Sequence, residues 1–375
     1  MIRRLYVHNF RCLENFELPI SGKSSVLLIG NNGSGKTTIG LALGILQKIV
    51  RDPKRGGTNR VGDLVKPTDL SRGRTDVPMR FEIEVDLGGK IYEYAIAFEY
   101  PTGFKELRVL EEKLVAGGKP VYTREGAQVH LAKTGQEGEA QFRIDWHLVA
   151  LPIVQGPSFF NDPLFIFKQW LARILILRPM PGLIRGDSEQ ETLQPNLQVT
   201  DFGDWFSGVL APFPSAYARI DEYLKQVMPD FKDIRKPLVD KDSRSLVVQF
   251  SSDQGSMTLP FEDLSDGEKC FAICALVLAA NDAYGPIVCF WDEPDNYLAL
   301  SEVGHFVIAL RKAFETGGQF IATSHNPEAI RRFSDENTLL LYRNSHLEPT
   351  IVRPLSEIQV SGDLVGALVR GDVEP

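Results

Sequence analysis

The chain of 375 residues is long enough for one large domain or two modest ones with a sizeable core. Hydrophobic residues make up 43% of it and charged residues 24%, as in ordinary globular proteins, and no apolar run reaches the roughly 20 residues that a membrane-spanning helix needs. The net charge of −8 disfavours general affinity for nucleic acid, although it allows a local basic patch. Because the sequence has no apolar run of that length, membrane partners are not expected.

The cysteines and the N-terminal residues indicate a cellular compartment. Cys270, Cys274 and Cys289 stand in apolar surroundings, and none of the four cysteines forms a CxxC pair. We expect them to be buried free thiols, which are typical of a reducing environment. Because the first residues also lack the apolar stretch of a secretion signal, we expect a cytoplasmic protein.

The first quarter of the chain predicts a strand, a glycine-rich loop and a helix in that order. Residues 3–8 alternate as in a strand, and residues 24–29 form a short run rich in strand formers. The sequence GNNGSGKTT follows at 30–38, and IGLALGILQKIVRD then continues with apolar residues at helical spacing. Residues 52–77 are polar, with scattered glycine and proline, and predict a mobile loop.

The middle of the chain changes from strand to helix patterns. Residues on both sides of Gly88-Gly89 alternate cleanly, and a second hairpin is predicted at Gly117-Gly118, so residues 81–143 predict an antiparallel subdomain. Residues 159–231 favour helices and loops, including two helices interrupted near Pro212 and Pro214. Strands are predicted again at 245–250 and 256–260.

The last third of the chain alternates strands with helices. LSDGEK at 264–269 predicts a loop before an apolar helix, and further strands and helices follow to residue 354. Apolar strands that alternate with helices imply a mainly parallel sheet covered on both faces. The predicted fold class is therefore α/β with a mixed or parallel core sheet. We divide it into a first lobe at 1–158 that includes the antiparallel subdomain, a helical insertion at 159–243 and a second lobe at 244–375.

The sequence at 30–38 matches G-x-x-x-x-G-K-[ST] and stands between a predicted strand and a predicted helix, which is the context that a phosphate-binding loop requires. Glycines allow the backbone to wrap phosphates, and the N–H groups of the loop and helix attract negative charge. Lys36 would contact the outer phosphates of a nucleotide, and the Thr37 hydroxyl would bind Mg²⁺. The alternative is a glycine-rich turn that matches by chance.

Two later strands end in polar residues. IVCFWDEP ends its strand in Asp292 and Glu293, and QFIATSH ends the next one in His325. Because ligands bind at the carboxyl edge of such sheets, Asp292 would hold Mg²⁺, Glu293 would act as general base on a water molecule, and His325 would sense the terminal phosphate. The alternative for Asp292 and Glu293 is that they only stabilise the N-terminus of a helix through its dipole. The alternative for His325 is a structural role.

LSDGEK offers a second anion-binding turn at a helix N-terminus. A single chain has no need of two phosphate sites for one nucleotide, whereas two chains packed head to tail would each complete the pocket of the other. The alternative is a turn that only begins a core helix.

GNNGSGKTT, LSDGEK, DEPDNYL and TSHNP, in this order, resemble the motifs of the ABC-type ATPases, and are most similar to those of the SMC, RecF and OLD branch. NFRCLENFEL before the phosphate loop is also similar to the start of that branch. The resemblance covers residues 1–50 and 260–345, and it implies a P-loop NTPase fold with ATP and Mg²⁺ as ligands. LSDGEK departs from the LSGGQ of transporters, and a transporter subunit would also need membrane partners.

The resemblance implies a role for each matching residue. The Walker A loop comprises Gly30, Asn31, Asn32, Gly33, Ser34, Gly35, Lys36, Thr37 and Thr38. Asp292 is the Walker B acid, Glu293 the catalytic base and His325 the switch histidine. The signature residues Ser265, Gly267 and Glu268 would contact the ATP of a second chain, and Asp295 would begin the D-loop that couples the two sites.

Three further residues lie outside these motifs and have candidate roles. Asn9 and Arg11 would lie near the phosphates or base of the nucleotide, although Arg11 is equally compatible with a surface charge. Gln155 is our candidate for the Q-loop glutamine that contacts the metal, the alternative being an ordinary loop residue.

The predicted function is an ATP-dependent dimer switch. Coiled-coil heptads and a nuclease domain after His325 are not expected, so we predict a homodimer or higher oligomer with ATP at its interface and a separate effector protein, as in bacterial anti-phage systems. The first alternative is a RecF-like repair ATPase that binds nucleic acid through the basic residues Arg51, Lys54, Arg55, Arg60, Arg72 and Arg74. The second is a scaffold that binds ATP without hydrolysis, which an intact Glu293 disfavours.

Overall fold

The computed structural model describes residues 1–53, 56–132, 140–155, 162–238, 244–358 and 365–367. Its strands are β1 (Ile2–His8), β2 (Phe16–Leu18), β3 (Ser25–Ile29), β4 (Met79–Leu87), β5 (Lys90–Glu99), β6 (Arg108–Ala116), β7 (Lys119–Glu125), β8 (Gln128–Leu131), β9 (Ala140–Arg143), β10 (Leu175–Leu177), β11 (Asp187–Ser188), β12 (Phe231–Arg235), β13 (Arg244–Ser245), β14 (Val247–Ser252), β15 (Gly255–Pro260), β16 (Val288–Trp291), β17 (Gln319–Thr323), β18 (Thr338–Tyr342) and β19 (Ile351–Pro354). Its helices are α1 (Lys36–Val50), α2 (Val61–Leu64), α3 (Pro163–Ala172), α4 (Phe202–Leu210), α5 (Ala216–Val227), α6 (Asp266–Tyr284), α7 (Leu300–Glu315) and α8 (Pro327–Arg332). Within these ranges, every helix is too short or too polar to cross a bilayer.

The central sheet has the strand order β10-β16-β17-β3-β18-β19. Its first five strands are parallel, and only β19 runs in the opposite direction. Every residue of β3, β16 and β17 is buried, which is expected when both faces of a parallel sheet are covered. All of these strands therefore end at one edge of the sheet, and the residues that follow them meet there.

Each face of the central sheet contributes to a different hydrophobic core. In β3, the side chains of Val26 and Leu28 pack with α1 and the antiparallel sheet, whereas those of Leu27 and Ile29 pack with α4, α5, α6 and α7. The alternation follows from the two-residue period of a strand. The phosphate loop, which continues β3, is thus anchored in both cores.

The antiparallel sheet has the order β2-β1-β4-β5-β6-β7-β8-β9. Leu87 pairs with Lys90 and Ala116 with Lys119, so both predicted hairpins turn at their glycine pairs. Gly88 and Gly89 have φ of 64° and 82°, a left-handed conformation that glycine adopts without strain. The predicted antiparallel subdomain is confirmed, and β1 and β2 extend it.

A buried carboxylate ties this sheet to the segment that leaves it. Glu112 in β6 is 1% exposed and accepts four hydrogen bonds of 2.7 to 3.1 Å, from the hydroxyls of Tyr94 and Tyr122 and the N–H groups of Ala150 and Leu151. Arg124, also 1% exposed, lies 3.6 Å from it. Burial and the Glu112 charge raise the pKa of both tyrosines. The charge is therefore compensated on all sides.

The structure departs from the sequence patterns in three places. Residues 52–77, predicted as a loop, contain α2 and have Val61, Leu64 and Leu70 buried. The segment predicted as helical contains β10, which joins the edge of the central sheet beside β16. Helix α6 begins at Asp266, inside the predicted loop, because Ser265 caps it. The predicted boundaries at 158–159 and 243–244 fall on or beside residues outside the described ranges.

Candidate functional site

The phosphate loop leaves β3 at Gly30 and enters α1 at Lys36. Gly30, Gly33 and Gly35 have φ of 143°, 81° and 103°, a backbone region that glycine enters most readily. A Cβ on Gly30 would stand 2.0 Å from the Leu341 carbonyl oxygen, so the loop also has no room for a side chain there. Gly35 offers no side chain to cap α1, which leaves the first N–H groups of the helix available to an anion.

Lys36 turns its ammonium back over the loop. Its Nζ donates to the carbonyls of Gly30 at 2.7 Å and Asn31 at 3.2 Å. Burial lowers its pKa, and the charges of Glu293 and Asp292 act in the opposite direction. The cation is thus held against the backbone of the loop.

Asp292 joins α1 to the strand ends. Its Oδ2 accepts the Thr37 hydroxyl at 2.9 Å, and its Oδ1 accepts the Thr323 hydroxyl at 2.7 Å. A carboxylate and a hydroxyl at this spacing suit Mg²⁺, which takes few protein oxygens and fills its other positions with water and phosphate. Among the residues that the structure describes, no group of three or more His, Cys, Asp or Glu side chains is placed to hold a metal ion by itself. The donor set therefore fits Mg²⁺ bound together with phosphates.

Glu293 and His325 face each other across the end of the sheet. Glu293 has a left-handed φ of 53°, and its N–H donates to Thr323 Oγ1 at 2.9 Å. A left-handed conformation is strained for a residue other than glycine, and such strain is typical of functional sites. Its Oε1 lies 3.7 Å from His325 Nε2. Burial and the Lys36 charge lower the pKa of His325, although the carboxylates of Glu293 and Asp292 raise it.

These groups share one cavity of about 470 Å³. Its lining includes Asn32, Gly33, Gly35, Lys36, Thr37, Thr38, Glu293, His325 and Arg11. Asp292 accepts the hydroxyl of Thr37, which lines this cavity, and itself lines a second cavity of about 290 Å³, to which Thr37 and Arg11 also contribute. The structure thus brings together the predicted phosphate loop, the two acids, the histidine and Arg11.

Residues from the far end of the chain form the rim of the 470 Å³ cavity. Arg343 donates to the Gly33 carbonyl at 3.2 Å, and the Thr350 hydroxyl donates to the Ser34 carbonyl at 2.9 Å. Arg72 donates to the Leu347 carbonyl at 2.7 Å and so joins the rim to residues 71–73. No motif marks the hairpin between β18 and β19, so nothing in the sequence indicates a role for Arg343 or Thr350.

The signature residues lie elsewhere. Ser265 is exposed and caps α6, with its Oγ accepting the Glu268 N–H at 3.3 Å and Glu268 accepting the Ser265 N–H at 2.7 Å. Gly267 lies against the backbone of Tyr297, since a Cβ there would stand 3.1 Å from that carbonyl oxygen. Of these described residues, none lines the cavity over the phosphate loop. Within its own chain, the turn therefore begins α6 and does not contribute to the cavity over the phosphate loop.

Three other candidates have distinct positions. Asp295 is buried and accepts the Ser324 hydroxyl at 2.7 Å, so it is linked to the residue before His325. Burial raises the pKa of Asp295. Gln155 is exposed, belongs to neither described cavity lining, and precedes residues outside the described ranges. Asn9 is buried and donates to the carbonyls of Arg74 and Val77, so it holds the 71–77 segment.

Much of the predicted basic patch is engaged within the chain. Arg72 and Arg74 both pair with Glu14, and Arg74 also pairs with Asp76 at 3.0 Å. Arg51 donates to the carbonyls of Gln194 and Pro195. Lys54 and Arg55 lie outside the described residues.

Comparisons with known proteins point to the same fold. A family model described as "AAA domain, putative AbiEii toxin, Type IV TA system" matches residues 25–158 and 187–331. A crystal structure of an SMC head bound to the C-winged helix domain of ScpA has a TM-score of 0.56 at 15% identity, covering 95% of this chain and 98% of that one. An SMC head with an extended coiled coil, derived from Pyrococcus furiosus, has a TM-score of 0.51 at 14% identity, covering 95% and 97%.

One curated protein matches a short stretch. An OLD nuclease of Thermus scotoductus is 51% identical over 39 residues, which are 10% of this chain and 7% of that protein. Together with the family match and the SMC heads, this confirms the predicted α/β fold class and the resemblance to P-loop proteins of SMC and OLD type.

Proposed function

Because the chain belongs to the AAA-domain family whose description names the AbiEii toxin and a type IV TA system, we propose that it binds Mg²⁺·ATP over the phosphate loop and hydrolyses it. One observation carries the proposal. The phosphate loop, Glu293 and His325 line a single cavity, and Asp292 accepts the hydroxyl of Thr37, which lines the same cavity. A loop for phosphates, an oxygen pair for Mg²⁺ and a carboxylate for water are the parts that phosphoanhydride hydrolysis needs.

Each residue has a defined task in this reaction. Lys36 and the N–H groups of the loop bind the phosphates, and Thr37 and Asp292 hold Mg²⁺, which when bound would neutralise phosphate charge. Glu293 orients a water molecule and takes its proton as the water oxygen attacks the terminal phosphorus and ADP leaves. His325, neutral at pH 7 because its pKa is lowered, donates a hydrogen bond to the terminal phosphate. Its 3.7 Å separation from Glu293 leaves both groups able to face the same water.

The second part of the proposal is a composite site. The signature turn is exposed at the start of α6 and lies outside the cavity of its own chain, which supports a role for Ser265, Gly267 and Glu268 on the ATP of another copy. ATP would then hold two chains together, and hydrolysis would release them. Asp295, bonded to Ser324 beside His325, would transmit the state of one site to the interface.

The third part concerns the cellular role. The family description names a toxin of a toxin–antitoxin system, which supports an ATPase that works with a growth-arresting effector. We propose that this system acts in anti-phage defence. We place that effector on a separate protein. A RecF-like DNA-binding role gains no support from the basic patch, since Arg72 and Arg74 are paired with acids. A scaffold without hydrolysis is disfavoured by the position of Glu293 in the cavity.

ATP turnover measured against protein concentration tests the proposal. Wild-type specific activity should rise with concentration, and light scattering should detect a dimer with ATP. Glu293→Gln should reduce turnover by about 100-fold or more while it retains ATP binding and forms a stable dimer. Glu315→Gln, which changes an exposed acid at the end of α7, is the control and should match the wild type. Turnover that persists in Glu293→Gln would contradict its assigned role, and concentration-independent turnover by a monomer would contradict the composite site.

A further inference from the structure

The main chain places Arg178 beside Asp292. β10 runs parallel to β16, with Leu177 paired with Trp291, and the Asp292 N–H donates to the Leu177 carbonyl at 2.8 Å. The residues that follow these two strands therefore leave the sheet at the same edge and in neighbouring positions. The proximity of Arg178 to Asp292 follows from strand register and does not depend on the choice of rotamer.

The carboxylate of Asp292 is surrounded by donors. Besides the hydroxyls of Thr323 and Thr37, the Arg178 Nε lies 3.7 Å from Oδ2. Asp292 is only 6% exposed, so water compensates little of its charge. Arg178 thus supplies a full positive charge at Asp292 Oδ2, the oxygen that accepts the Thr37 hydroxyl. These two oxygens, Oδ2 of Asp292 and Oγ1 of Thr37, are the pair that suits Mg²⁺.

The guanidinium also has room to move away. The Arg178 side chain is 61% exposed and lines the 290 Å³ cavity on this side of Asp292. The rest of that lining is mixed, with apolar residues such as Leu41 and Leu197 and charged residues such as Lys48. An ion pair of this length and exposure is weak, so a divalent cation can displace it at small cost.

We infer that Arg178 is a positioning residue that competes with the divalent cation for Asp292. It compensates the carboxylate while no metal is present and gives way when the metal binds, because two positive centres at Oδ2 repel each other. Arg178 therefore raises the metal concentration that the site requires and prevents Asp292 from repelling a nucleotide that arrives without metal. The inference rests on the proposed Mg²⁺·ATP function and adds a residue that sets its dependence on metal.

Nucleotide binding with and without metal tests the inference without any turnover. A fluorescent, non-hydrolysable ATP analogue is bound in EDTA and in saturating Mg²⁺, and the ratio of the two Kd values is the metal coupling factor. Arg178→Gln should raise this factor about fivefold, because the uncompensated Asp292 repels the analogue in EDTA only. Arg178→Met should do the same, whereas Arg178→Lys keeps the charge and should stay within about twofold of the wild type.

Arg173→Gln is the matched control, since it changes an exposed arginine before the opposite end of β10. It should leave the coupling factor unchanged. Equal factors for the wild type, Arg178→Gln and Arg178→Met would overturn the inference while leaving the proposed function intact. A folded wild-type protein that binds no analogue in either condition would overturn the proposed function and the inference with it.

Discussion

Thr37 at the start of α1 donates its hydroxyl to Asp292 at the end of β16 over 2.9 Å, although 255 positions separate the two residues in sequence. They meet because β3 and β16 are both parallel neighbours of β17, so all three strands end at one edge. The contact links the phosphate loop to the acid that would hold the metal. If the site binds Mg²⁺ as proposed, it requires the hydroxyl of Thr37.

Thr37→Val should raise the half-saturating Mg²⁺ concentration for ATP turnover by at least about tenfold, because valine keeps the shape of threonine and removes the metal-binding hydroxyl. Steady-state turnover across a Mg²⁺ titration measures this. Thr37→Ser restores the hydroxyl and should restore metal dependence close to that of the wild type. If Thr37→Val and Thr37→Ser behaved alike, the hydroxyl would have no role in metal binding.

Ser265→Arg should abolish the rise of specific activity with concentration, since a long cation in the signature turn would block packing against a second chain. Light scattering with ATP should then detect monomers, while ATP binding to the chain's own phosphate loop should persist. Ser256→Arg is the control, because Ser256 is an exposed serine in β15. Dimers formed by Ser265→Arg with ATP would argue against the composite site.

His325 should make stability depend on pH in a narrow window. Its pKa in the folded chain is lowered from 6.5 by burial and by the Lys36 charge, against the effect of the two carboxylates. As pH falls below about 6.5, the unfolded state binds this proton first, so the free energy of unfolding decreases until pH reaches the folded pKa. Above 6.5 the full stability is present.

Urea unfolding of the wild type and His325→Gln between pH 5 and 8 measures this effect. The free energy of unfolding of the wild type, relative to that of His325→Gln, should decrease as pH falls through this window. From about pH 7 upward this difference should not change with pH. Because His325 is partly exposed, the shift should be small. A difference that does not change with pH would show that the histidine titrates equally in both states.

Glu112→Gln should lower the free energy of unfolding by about 3 kcal/mol, because it removes a fully buried charge beside Arg124 and alters four hydrogen bonds. Chemical denaturation measures it. Glu93→Gln changes an exposed acid on the neighbouring strand β5 and should stay within about 0.5 kcal/mol of the wild type. Equal midpoints for the two variants would mean that the network contributes nothing to stability.

Local sequence determined the parts of the fold whose causes are local. The glycine pairs at 88–89 and 117–118 fixed two hairpins, because both turns need left-handed backbone. The strand, loop and helix around Lys36 followed from an apolar run, three glycines and helical periodicity. Burial of Cys270, Cys274 and Cys289 followed from their apolar neighbours and is confirmed. In contrast, β10 has only three residues and no pattern that separates it from a helix.

The sequence by itself therefore determined the candidate residues of the proposed site: the phosphate loop, the Asp292-Glu293 pair, His325 and the signature turn each bear a short pattern of their own. Only the tertiary structure decided what surrounds them. The strand order places β17 between β16 and β3, and this sets Glu293 against His325 and Thr37 against Asp292. Arg343 and Arg178 reach the site through strand pairing with distant segments. Such contacts depend on which strands become neighbours. Because the packing of the whole chain decides the strand order, no short stretch of sequence indicates these contacts.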